Sequence, residues 1–155
     1  MEVVIAMAVT AFCLIVLIGM LPVGLTSARE SRRETRAAYV AEQVASDLRA
    51  SFFTNATILC QTNGALEPLV SFSLAETSTN CVTCDAQGNV LAAVPANQYA
   101  SPVIGTSANY LVQVTVEPTG LTNLSTVFVE VSAPAQGALS ARSRYGFETM
   151  IGNRQ

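Results

Sequence analysis

Three cysteines, Cys60, Cys81 and Cys84, come nearest to forming a chemical site in this chain. Cys81-Val82-Thr83-Cys84 has the C-x-x-C form used by thiol oxidoreductases and zinc sites. Zinc asks for four ligands, and the chain offers neither a second such pair nor any histidine. A redox motif opens a helix after a strand, whereas this one reads as part of a Thr/Asn/Asp-rich loop. A haem attachment needs histidine directly after the second cysteine, where Asp85 stands. What remains is a structural disulfide, as suits an exported protein. Cys60 joined to Cys81 or Cys84 is the first pairing, and a Cys81–Cys84 bridge is the second. One thiol of the three is left over. The fourth cysteine, Cys13, lies in an apolar run and reads as a small buried hydrophobe.

Other chemistry finds few reagents. There is no His or Lys, and all eight basic residues are Arg. A serine has no imidazole to activate it, a Schiff base has no amine, and no G-x-S-x-G elbow or phosphate-binding glycine loop occurs. The sequence therefore argues against an enzyme, and no cofactor or metal is expected. The formal net charge of −3 gives no electrostatic footprint for nucleic acid. Asn55-Ala56-Thr57 and Asn123-Leu124-Ser125 match the N-glycosylation sequon, a weak signal on its own, and no glycan is the default.

The most informative single acid is Glu2, at the head of a run from Val3 to Leu25 that holds no charged residue. Such a run is long enough to cross a hydrocarbon core of roughly 30 Å. A cleavable signal fits poorly, because the run is long and an acid stands where a basic region belongs. A carboxylate there complements the helix dipole by ~0.3–1 kcal/mol. Buried among apolar helices it would require a partner; at a membrane surface it would not. Both settings stay open for Glu2.

The elements that position these residues follow from periodicity. Past Leu25 comes an Arg/Glu-rich stretch, then Ala37, Val40, Ala41, Val44, Leu48 and Phe52 at steps of three and four. That is an amphipathic helix with a narrow apolar stripe, and Glu30 and Arg33 are spaced as i,i+3 neighbours. From Glu2 to about Ser51 the sequence predicts one helix, on the order of 75 Å long at 1.5 Å per residue. Gly19, Pro22 and Gly24 predict a kink or a short melted break within it.

After Phe53 the pattern turns to short extended runs. Residues 57–60, 69–74, 90–94, 110–117, 126–131 and 145–151 predict strands, with a turn at Asp85–Asn89. The expected fold is α+β: a long helix (1–53, of which 1–25 is the apolar part and 26–53 the amphipathic part) packed on an antiparallel β-rich domain (54–155).

Glu2 followed by Val-Val-Ile-Ala-Met-Ala-Val, a long apolar run with a proline, and then an amphipathic helix resembles the type IV pilins and pseudopilins. Leu21-Pro22-Val23-Gly24-Leu25 with the following Arg/Glu-rich helix looks particularly like pilin-like proteins of Verrucomicrobia-type bacteria. The resemblance covers about the first 50 residues, and beyond them only a generic pattern of strands. It implies that a prepilin peptidase removes a basic leader, that the mature N-terminus is methylated, and that Glu2 pairs with a neighbour's N-terminal amine. It departs from the family in one respect, since the acid here stands second, closer to the start than usual. Met1, Glu2, Val3, Phe12, Leu17 and Leu21 would carry subunit assembly. Arg29, Arg32, Arg33 and Arg36 follow the apolar run and nothing basic precedes it, which by the positive-inside rule would hold the polar domain in the cytoplasm. A removed leader resolves that conflict, so Met1 is expected not to be the start of translation.

The expected function is thus a structural subunit of an extracellular filament, a homo-oligomer drawn from an inner-membrane pool by pilus assembly machinery. The alternatives are a minor pseudopilin that primes a secretion apparatus, or a monomeric membrane-anchored binding module.

Overall fold

The computed structural model of the chain describes residues 2–62, 65–121 and 123–153. Among the described residues, one α-helix and seven strands, with two short 3-10 helices (Ala96–Gln98 and Leu139–Ala141), make the fold: α1 (Glu2–Ala50), β1 (Ala56–Thr62), β2 (Ala65–Phe72), β3 (Ser78–Cys84), β4 (Val90–Val94), β5 (Tyr110–Pro118), β6 (Leu124–Ala133) and β7 (Ser143–Gly152). The chain divides into two compact units, Met1–Thr35 and Arg36–Gln155. The part of α1 from Arg36 onward, which carries the apolar stripe, thus belongs to the same unit as the strands.

Within that second unit β3 to β7 form one antiparallel sheet in the order β4-β3-β5-β6-β7, and β1 pairs with β2 in a separate hairpin. The alternation in β5 and β6 decides which face is buried. Val112, Val114 and Val116 lie opposite Val131, Val129 and Val127, and all six are fully or almost fully buried. Against this face lies the predicted stripe of α1, with Ala37, Val40, Ala41, Val44 and Leu48 in the same core. Each large apolar side chain so enclosed contributes ~1.5–3 kcal/mol. On β7, Tyr145, Phe147 and Ile151 line the same side, as the period-two pattern predicts.

Phe52 departs from the expected stripe and is 84% exposed. The helix ends at Ala50, so the three-and-four spacing stops applying two residues too early. Phe53 packs on the core in its place.

The expected break at Gly19, Pro22 and Gly24 is not a melted stretch, for helical backbone continues through all three. Proline deletes one intrahelical donor, the one that would serve the Ile18 carbonyl, and leaves the rest of the ladder intact. Thr26 reinforces the turn after it by donating from Oγ1 to the Pro22 and Val23 carbonyls at 3.0 and 2.9 Å. In a segment this apolar the backbone gains nothing by abandoning the helix, which keeps its polar groups paired.

The sequence pattern misses one strand altogether. Ser78-Thr79-Asn80-Cys81-Val82-Thr83-Cys84 is β3, hydrogen-bonded between β4 and β5, and not a loop. Its threonines and valine are β-branched and favour a pleated surface despite the polar composition.

Candidate assembly site

In the first unit the apolar segment presents its whole circumference. Val3, Phe12, Leu17 and Leu21, all assembly candidates, are 59–70% exposed, and the other large apolar residues around the helix are 46–72% exposed. An amphipathic helix hides one stripe; a helix that is apolar all round needs apolar surroundings all round. The segment is long and apolar enough to cross a membrane, which is compatible with anchoring there. Its one hydroxyl before Pro22 is satisfied internally, Thr10 Oγ1 donating to the Ala6 carbonyl at 2.8 Å. Gly24 opens a shallow apolar notch flanked by Leu17, Ile18, Met20, Leu21 and Leu25. A Cβ at either Gly24 or Gly19 would meet nothing within 4 Å.

Glu2 is the first residue of α1, and its side chain, like all of Met1, lies outside the described structure. Downstream of the apolar segment, Glu30 and Arg33 approach to 3.9 Å in the i,i+3 spacing. Both are exposed, so the pair contributes little to stability.

In the second unit the two cysteines of the C-x-x-C sequence fall in different packing clusters. Cys81 and Cys84 both belong to β3, three residues apart. At roughly 3.3 Å per residue their Cα atoms are about 10 Å apart, beyond the reach of a disulfide. Cys81 packs with Val94, Ala108, Leu111 and Ala135 in a second cluster, while Cys84 packs in the helix-facing core. The Cys81–Cys84 bridge is therefore sterically closed, and no disulfide joins any of the three in this structure. Burial pushes the Cys81 thiol up to about 11 and the Cys84 thiol up to about 12; Asp85 and then Cys60 add to the shift at Cys84. These thiols are poor nucleophiles, unlike those of a redox enzyme. Among the described residues no group of three His, Cys, Asp or Glu side chains is placed to hold a metal ion. Asn55 and Asn123, the two sequon residues, are both exposed.

Two polar features escape sequence reasoning. Asp85 caps the turn between β3 and β4: its carboxylate accepts from the backbone N–H of Gln87 and Asn89 and from Asn89 Nδ2, at 2.8–2.9 Å. Partial burial alone would raise this carboxyl; the hydrogen bonds from Asn89, Gln87 and Gly88 outweigh it and hold it below its ordinary value. The second is the buried Arg142, which donates to the carbonyls of Gly137, Tyr99 and Ala100 at 2.7–3.2 Å. Tyr99 in turn donates to Glu130 at 2.6 Å, so loop segments are tied to β6. An isolated arginine between two loops carries no periodic signal, which is why it escapes notice.

No family model, curated protein or solved structure matches the chain.

Proposed function

We propose that the chain is a structural subunit of a type IV pilus-like filament, held in the inner membrane by Val3–Leu25 and then polymerised through that segment. The observation that carries this reading is the all-round apolar helix continued, in one α-helix, into a stripe buried on the sheet domain. A prepilin peptidase and assembly machinery would deliver it, and the domain would face outward.

Extraction from lipid gains little hydrophobic free energy, because the hydrocarbon is as apolar as a neighbouring helix. Close packing must supply the difference. The notch at Gly24 supports this, since a small residue lets a neighbour's helix approach closely. Glu2, paired with a neighbour's terminal amine, would set the register. The Gly19–Pro22–Gly24 stretch, lacking one backbone hydrogen bond, is where the helix would bend most easily under load.

Electron cryomicroscopy of filaments sheared from cells making the chain tests this. A central bundle of Val3–Leu25 helices is the expected result. If the chain stays in the membrane fraction as a monomer and enters no polymer, the reading fails, and an anchored binding module replaces it.

A further inference from the structure

We propose that Cys60 and Cys84 are an oxidisable pair, forming a disulfide that staples the β1–β2 hairpin to the five-stranded sheet while Cys81 remains a thiol. The two cysteines come from different sheets and converge on one spot. Along β1, Ala56, Ile58 and Cys60 are buried and alternate with less buried neighbours; Ala56 and Ile58, on the same face as Cys60, lie in the core that also holds Cys84. The β3–β4 ladder pairs Thr83 with Ala92 and Cys84 with Val90, so Leu91 is the extra residue of a bulge. Its carbonyl accepts from the Cys60 thiol at 3.4 Å. Cys60 thus sits at the residue next to the strand partner of Cys84. The thiols also sense each other, as Cys60 contributes to the raised pKa of Cys84.

Cys81 is excluded by the pleat. It lies on the opposite side of β3, in a cluster with Leu111 and Ala135. Closing the Cys60–Cys84 bridge gives up the weak S–H···O contact to Leu91.

The step balances with a small-molecule disulfide such as oxidised glutathione as electron acceptor. Cys60, 7% exposed against 0% for Cys84, takes the first exchange. It loses its proton, bonds to one glutathione sulfur and releases the other as a thiol. Cys84 then loses its proton, attacks Cys60 Sγ and releases the second glutathione thiol. One S–S bond is gained, two protons are lost and two electrons leave. Because Cys84 is enclosed, the exchange proceeds faster while the chain is still folding than afterwards.

The test uses the full chain in detergent, reduced and then refolded in a glutathione redox buffer. Remaining thiols are alkylated under denaturing conditions, and the protein is digested without reduction. No basic residue lies between Arg49 and Arg142, so trypsin leaves all three cysteines on one peptide. A glutamate-specific protease cleaves after Glu76, though not at the Glu67-Pro68 bond, and so separates Cys60 from the other two. The expected product is a linked pair of those peptides, lighter by two hydrogens than its reduced parts, with one alkylated cysteine. The link persists in Cys81→Ser and disappears in Cys84→Ser. Should Cys84→Ser fail to fold, fragmentation of the wild-type linked peptide identifies the bonded sulfur directly. Complete alkylation of Cys60 after refolding, or a link to Cys81, overturns the proposal.

Discussion

Gly88 offers a direct test of whether the amphipathic half of α1 is seated on the sheet domain. Its φ of +93° lies where side-chain-bearing residues are strained, and a Cβ built there would sit 3.3 Å from both Val40 Cγ2 and Gln43 Oε1 on the helix. Val40 is 1% exposed and enclosed in the core, so it has no room to withdraw; Gln43 can swing aside. Gly88→Ala therefore combines roughly 1–2 kcal/mol of backbone strain with about 1 kcal/mol of overpacking. Gly120 supplies the control. Its φ is +71°, yet a Cβ there meets nothing within 4 Å, so Gly120→Ala carries the strain alone. For a unit of this size 1 kcal/mol corresponds to about 3–4 °C in Tm. Gly88→Ala is expected to lower the midpoint by roughly 6–12 °C and Gly120→Ala by roughly 3–8 °C, with the packing effect, about 3–4 °C, as their difference.

The assay is thermal unfolding of the full chain in detergent, followed by the near-ultraviolet signal of its four tyrosines, which no tryptophan obscures. Equal losses in the two variants would refute the reasoning. They would mean that the turn does not rest on Val40, and that the stripe is buried elsewhere or not at all.

Leu48→Ala, at a fully enclosed position, should cost about 2–5 kcal/mol, whereas Phe52→Ala should stay within about 0.5 kcal/mol despite the larger side chain; paired denaturant titrations measure both. Asp85 is held below its ordinary pKa in the fold, so its contribution is present above the unfolded value of 3.8 and is lost as pH falls through the folded one. Melting curves from neutral pH down to about pH 3 should show that loss in the wild type and less of it in Asp85→Ala, which also gives up about 1–2 kcal/mol at neutral pH. Asp47 behaves oppositely: burial raises its pKa, so the charged form is unfavourable at neutral pH, and Asp47→Asn should raise the midpoint there but not at low pH.

The alternation of β5 and β6 and the stripe from Ala37 to Leu48 were legible because each repeats one physical period over several residues. The cysteine geometry was not. Whether Cys81 and Cys84 face the same way depends on whether Ser78–Cys84 is a strand, and its polar composition conceals that. The bulge at Leu91 that receives Cys60 is a property of pairing between strands distant in sequence, invisible to any window along the chain. Phe52 failed for the reverse reason, a period extended past the point where the backbone stops obeying it.

The two halves of α1 pose different physical problems, and only one is solved within the chain. Ala37, Val40, Ala41, Val44 and Leu48 are covered by the chain's own strands. From Val3 to Leu25 the large apolar side chains of the same helix stay exposed. A bilayer would cover them completely, and so would a ring of identical helices. A bilayer, however, makes no demand on side-chain size, whereas close packing of helices rewards small residues beside large ones. Gly24 among Leu17, Leu21 and Leu25 is the arrangement that packing uses. In the proposed assembly, the competition between lipid and neighbour would be decided at that notch. Gly24→Leu should fill it, leaving membrane insertion intact while weakening any assembly through the helix; unchanged polymer yield in that variant would place the helix contacts elsewhere.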